Sequence, residues 1–150
     1  MIIGLVLSSS PSYSETFFNS KIKGLQESGF EVVLFVQHTS PSFKLCPVYK
    51  SSKVFKNPIL LFFSMLGVFL KLVTKVKTLV TFINLERRDN NSWFQIVKKT
   101  YLNAHILSQK VDWLHFGFAT QALGKEFVAA AIGAKMAVSF RGFDIGVYPL

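Results

Sequence analysis

Arg141, Gly142 and Asp144 stand within four residues of one another, in the run Lys-Met-Ala-Val-Ser-Phe-Arg-Gly-Phe-Asp at 135–144. They offer a cation, a backbone open to close approach and a carboxylate. A guanidinium can hold a phosphate or carboxylate through paired hydrogen bonds. It stays protonated at neutral pH, so it serves by charge and not as a base. The competing arrangement is a strand-end turn closed by an internal Arg141–Asp144 ion pair. His115 and Gly117 lie in Asp-Trp-Leu-His-Phe-Gly at 112–117. There the imidazole either meets a ligand or is a buried ring hydrogen-bonded to backbone. Glu15 either favours the positive end of its own helix or orients a sugar hydroxyl. His38, His105 and His115 do not have metal-ligand spacing, and His105 reads as a surface or packing residue. A Gly-x-Gly-x-x-Gly after the first strand, a Walker loop and a His-Glu-x-x-His are all missing.

These residues need a frame. Residues 1–7 are apolar and β-branched, and stop at Ser-Ser-Ser-Pro, the pattern of a buried strand ended by a turn. Ser14 can cap a helix in which Phe17, Phe18, Ile22 and Leu25 recur at helical spacing, and Gly29 closes it. Residues 31–37 form a second strand, completing a right-handed βαβ unit. Residues 38–57 read as irregular because of their Ser-Pro and Cys-Pro steps. Pro58 suits the first turn of a helix. The run 59–70 is apolar except for Ser64 and Gly67, and Lys71, Lys75 and Lys77 cut it short of the about 20 residues of a membrane span. A helix packed in the interior is the favoured reading, with a helix at a lipid interface as the other. A polar connection at 86–92, a helix at 93–110, a strand at 111–116, an Ala-rich helix at 119–132 and a fourth strand at 136–140 complete the expected order. Alternation of this kind gives an α/β fold, a Rossmann-like parallel sheet with helices on both faces. Ligands of such sheets sit at the carboxyl ends of the strands. The loop at 8–15, His38, His115 and the 141–144 cluster should converge there.

The chain has 150 residues, half of them hydrophobic, with sixteen Phe and a formal charge of +9. One domain with a real core is the expectation. Between 38 and 85 it carries Lys44, Lys50, Lys53, Lys56, Lys71, Lys75 and Lys77 and no acidic residue. A basic and apolar segment points to an anionic membrane surface. Nucleic acid is not indicated, since no recognised binding motif is present. Cys46 is alone, which precludes an internal disulfide and fits a reducing cytoplasm. The N-terminus lacks a basic n-region and reads as a strand, not as a signal peptide. A cytoplasmic protein, peripheral at the inner face of the plasma membrane, is expected.

Ser14-Glu15-Thr16-Phe17, Gly29-Phe30-Glu31-Val32, the 112–117 motif and Ser-Phe-Arg-Gly-Phe-Asp-Ile at 139–145 occur in an order that resembles the N-terminal domain of family 4 glycosyltransferases with the GT-B fold, of the colanic-acid and exopolysaccharide type. The resemblance covers nearly the whole chain. It implies the acceptor-binding half of a retaining, nucleotide-sugar-dependent enzyme of polysaccharide, lipopolysaccharide or exopolysaccharide synthesis, working on a saccharide or lipid-linked saccharide. It further implies a second Rossmann-like domain that binds the UDP- or GDP-linked donor and carries paired glutamates. Residues 1–150 would then be an incomplete enzyme, inactive alone, with no cofactor or metal of its own. On this pattern Arg141 and Asp144 are the catalytic candidates, and Glu15, His115, Gly117 and Gly142 bind substrate. Many members of the family have His where this chain has Arg141, so the role left to Arg141 is electrostatic. Many also have a glycine pair where this chain has Ser8-Ser9-Ser10-Pro11, and no donor contact is carried over to that loop. The alternative is a non-catalytic Rossmann-like or flavodoxin-like domain that binds a small anion.

Overall fold

Five short strands pair side by side, all parallel, in the order β3-β2-β1-β4-β5. They are β1 (Ile2–Val6), β2 (Glu31–Val36), β3 (Val48–Lys50), β4 (Trp113–Phe116) and β5 (Lys135–Val138). The helices are α1 (Thr16–Glu27), α2 (Pro58–Leu72), α3 (Val76–Arg88), α4 (Trp93–Leu107) and α5 (Val128–Ile132). This computed structural model describes residues 1–11, 16–142 and 146. The expected Ser14 cap, Glu15 and Asp144 lie outside the described residues. The architecture is the Rossmann-like α/β sheet with helices on both faces.

Alternation along each strand divides the core in two, because successive side chains point to opposite faces. On one face Ile3, Leu5, Val32 and Leu34 pack against Phe18 and Ile22 of α1. On the other, Val6, Phe35, Leu114 and Phe116 pack against Phe82 of α3, Ile106 and Leu107 of α4, and Val128 and Ala129 of α5. Gly4 in the central strand lets Phe35 lie across it, since a Cβ there would stand 2.6 Å from Phe35 Cε2.

Four expectations need correction. The segment 38–57 contains β3, whose Val48, Tyr49 and Lys50 pair with Leu34, Phe35 and Val36. Pro47 ends the irregular part and its carbonyl accepts from Leu34 N at 2.9 Å. The supposed polar connection at 86–92 begins inside α3, because Glu86 is fully buried and ion-paired there. The Ala-rich helix at 119–132 is only a 3-10 turn at Ala119–Gln121 followed by the short α5. Gly124 between them has φ +71, a left-handed turn that no continuous helix contains.

The fourth correction concerns α2. Ile59, Phe62, Phe63, Leu66 and Leu70 are all 47–65% exposed, so this helix is not packed in the interior. Only its Leu72 is buried. Asn57 caps it, with Oδ1 accepting from Ile59 N at 2.9 Å, and Ser64 Oγ is 2.7 Å from Tyr101 Oη of α4. Counting the 3-10 turn between α2 and α3, Pro58–Arg88 makes a 31-residue helical run, long and apolar enough to cross a membrane by length and composition. Its second half is tied into the domain, with Phe82 and Glu86 fully buried and α3 packed on α4 and α5.

Candidate functional site

The loops that leave β1, β2, β3 and β4 surround a cleft of about 910 Å³, closed on one side by α4. Lys50 and Lys53 reach it from the end of β3, Lys98 and Lys99 from α4, and Lys125 from the turn before α5, with His38 and His105 also on its wall. No carboxylate is among the described residues that line it. Crevices at this edge of a parallel sheet are where such folds take ligands. Lys99 is ion-paired with Glu86 behind it, and the other four ammonium groups focus a positive field in the cleft.

The sequence holds these groups in place by particular bonds. α4 starts on a capping box, in which Ser92 Oγ accepts from Gln95 N and the Gln95 side chain accepts from Ser92 N. That sets Lys98 and Lys99 on the second turn. Lys99 Nζ donates to Glu86 Oε2 at 2.8 Å, and Asn91 Nδ2 donates to the same oxygen at 2.9 Å. A buried carboxylate thus anchors one wall of a cationic cleft from behind. Lys125 Nζ donates to Gln121 O at 3.0 Å. Burial lowers the Lys125 pKa, and Glu126 pulls it partly back. His105 is held down at about 4, by burial first and by Lys125 second, with the Leu102 carbonyl opposing. It is therefore neutral at pH 7. Asn103 Nδ2 donates to Gly124 O at 3.0 Å, while its buried Oδ1 has no partner among the described residues. The Gln121 amide, oriented to satisfy both neighbours, donates to Val6 O at 2.7 Å and accepts from Ser8 N at 2.8 Å. It ties the loop after β4 to the end of β1.

The residues expected to form one site fall into two places. His38 lies beside the loop after β1, bridged to Ser9, and faces the cleft. His115 points to the other side of the sheet, where its Nε2 is 2.8 Å from Ser139 Oγ and its Nδ1 is 3.1 Å from Lys21 Nζ. With Nε2 as the donor to Ser139, Nδ1 is left to accept from the ammonium. Burial, then Lys21 and Arg141, lower the His115 pKa. Burial and Arg141 lower that of Lys21. Arg141 stands over the rings of Phe17, Phe18 and Phe118 at 4.1, 4.6 and 5.1 Å. Gly117 is buried between Leu7 and Phe18, and Gly142 is exposed with open space around its Cα. Glu15 and Asp144 are outside the described residues.

Of the seven lysines expected to face a membrane, Lys50 and Lys53 line the cleft. Lys44 and Lys56 are exposed, as are Lys71, Lys75 and Lys77 around the end of α2. Lys98, Lys99, Lys125, Asn103 and Gln121 were not singled out in the sequence. The adjacent Lys98-Lys99 pair, one helical turn after a Ser-x-x-Gln box, was the available signal. No family model matches the chain, and neither curated proteins nor solved structures give a match.

Proposed function

We propose that this domain is the acceptor-binding half of a retaining, nucleotide-sugar-dependent glycosyltransferase, and that the cleft at the carboxyl edge of the sheet receives a phosphorylated saccharide. The observation that carries the reading is the cleft: about 910 Å³, five lysines and no carboxylate among the described lining residues. Its volume suits a small ligand, and its charge suits a phosphate or diphosphate. The ordered motifs at 14–17, 29–32, 112–117 and 139–145 support the assignment to a sugar-transferring enzyme. Arg141, steadied on three phenylalanine rings, supplies fixed positive charge to the donor phosphates, while a second Rossmann-like domain binds the UDP- or GDP-linked sugar. The apolar arc of α2 and the lysines near it favour work at the inner face of the plasma membrane.

A non-catalytic anion-binding domain is the second reading. It is favoured by His115, whose two ring nitrogens are engaged by Lys21 and Ser139 and so are not poised as a free base. Sequencing the encoding DNA past codon 150 separates the two readings. A frame that continues into a second α/β domain with paired glutamates supports the transferase. Calorimetry with a polyprenyl diphosphate saccharide and with inorganic pyrophosphate adds the ligand. Tighter binding of the saccharide conjugate supports an acceptor site, and equal binding of both reduces the domain to an anion binder.

A further inference from the structure

A second cavity of about 240 Å³ adjoins the cleft. Lys50, Ser52 and His105 line both, so the two spaces meet at the end of β3. The far wall of the small cavity is α2, through Val68, Lys71 and Leu72. Neither the Lys50 nor the Lys71 ammonium group has a hydrogen-bond or ion-pair partner among the described residues. No carboxylate is among the described residues that line the small cavity. Two unneutralised ammonium groups at the throat of a basic cleft form a seat for a phosphate.

What lies beyond Lys71 gives the class of molecule. By helical spacing Leu61, Met65, Val68 and Leu72 share the inward face of α2. Ile59, Phe62, Phe63, Leu66 and Leu70 occupy the outward arc, each about half exposed or more, and Val73, 59% exposed, continues it past the end of the helix. Lys71 sits at the border of the two faces. Lys75 and Lys77 follow at the end of the outward arc. An apolar arc bordered by lysines is complementary to a lipid surface, with the arc entering the acyl boundary and the ammonium groups meeting anionic headgroups.

We propose that Lys50 and Lys71 grip the phosphate of a membrane-borne amphiphile, whose polar part extends into the large cleft and whose hydrocarbon chain leaves along the outward arc of α2. The inference rests on the acceptor reading of the cleft and adds how the acceptor is presented, held by its phosphate and still anchored in the membrane. Vesicle flotation tests it, with the protein as it stands and phosphatidylcholine vesicles doped either with phosphatidic acid or, at equal charge, with a fatty acid. The Lys50→Ala/Lys71→Ala double variant should lose roughly tenfold or more of its partitioning onto phosphatidic acid vesicles and much less on the fatty-acid vesicles. The Lys75→Ala/Lys77→Ala variant removes the same charge away from the cavity and should lose about equally on both. All four lysines are exposed, so unfolding does not confuse the comparison. Equal losses by the two double variants, or no preference for phosphate over carboxylate lipid, would overturn the seat. The acceptor reading is judged apart from this, by titrating a soluble saccharide diphosphate into Lys98→Ala/Lys125→Ala. No binding by the wild type, or binding undiminished in this variant, removes the acceptor assignment, while the flotation result alone decides the Lys50–Lys71 seat.

Discussion

Replacing Gly117 with alanine separates packing from binding at a residue that the motif resemblance assigns to substrate. A Cβ at this position would stand 2.3 Å from Leu7 Cδ2 and 3.0 Å from Phe18 Cε1 and Cζ. The backbone cannot retreat, because Gly117 N donates to Val6 O at 3.0 Å. Leu7 is 5% exposed and shares its cluster with Phe18, so the displaced methyl has little room. Such overpacking costs about 1–3 kcal/mol. At roughly 2–4 °C per kcal/mol for a domain of this size, thermal unfolding followed by circular dichroism should show a Tm about 2–12 °C lower. Leu7→Ala alone should cost about 2–5 kcal/mol. In the double variant the vacated space takes up the new methyl, so the two effects should fall short of their sum by about 1 kcal/mol. An unchanged Tm with loss of ligand binding would refute the packing account and place Gly117 against the ligand. Strict additivity would refute the Leu7 contact.

Four other outcomes are expected. Because His105 titrates at about 4 in the fold and near 6.5 in the unfolded chain, the unfolded state takes the proton first as pH falls. Stability is then undiminished by this group above pH 6.5, declines between 6.5 and 4, and levels off below. The drop is on the order of 3 kcal/mol, and urea titrations at several pH values should show it in the wild type but not in His105→Gln. Lys98→Glu/Lys125→Glu should weaken pyrophosphate binding by tenfold or more and flatten its salt dependence, as read by calorimetry at two ionic strengths. Phe63→Asp/Leu70→Asp should abolish vesicle flotation with Tm unchanged within a few degrees, since both side chains are more than 60% exposed. Cys46, pushed up to about 11 by burial, should react with iodoacetamide at pH 8 about 100-fold more slowly than a free thiol, and at the ordinary rate in urea.

The order of strands and the two-faced sheet were legible because β1, β2 and β4 are short apolar runs with clear stops at Ser8, Gln37 and Gly117. β3 escaped notice because three residues between Pro47 and Ser51 carry no period of their own. They become a strand only because β2 offers a free edge. Glu86 misled for the opposite reason: a charged Glu-Arg-Arg-Asp run suggests solvent, and only the three-dimensional pairing with Lys99 buries the first of its charges. The apolar composition of α2 was plain in the sequence, but which way its side chains face depends on how little of the domain lies over it. The cleft itself was half visible. Lys50 and Lys53 stood out as an acid-free stretch, whereas Lys98, Lys99 and Lys125 are brought to them by folds of the chain that no local spacing records. His38 and His115 both lie near strand ends, but His115 is inside β4 on the α1 face of the sheet, whereas His38 lies beyond the end of β2, where the loop bridged to Ser9 turns it to the cleft.

All five strands run the same way, so every loop that builds the cleft emerges on one rim, and the opposite rim carries Met1, the approach to β3 at 45–47 and the turns at 28–30, 108–112 and 133–134. Those turns are sealed by their own backbone bonds, such as Phe30 N to Leu25 O and Ala134 N to Ala129 O. The quiet rim therefore offers attachment points for a fluorophore, an affinity tag or a surface tether. A probe fixed at 28–30 or 133–134, and not at the 108–112 turn whose Ser108 lines the small cavity, leaves the lysine-lined mouth unobstructed, and the domain can be immobilised there while ligands approach the cleft.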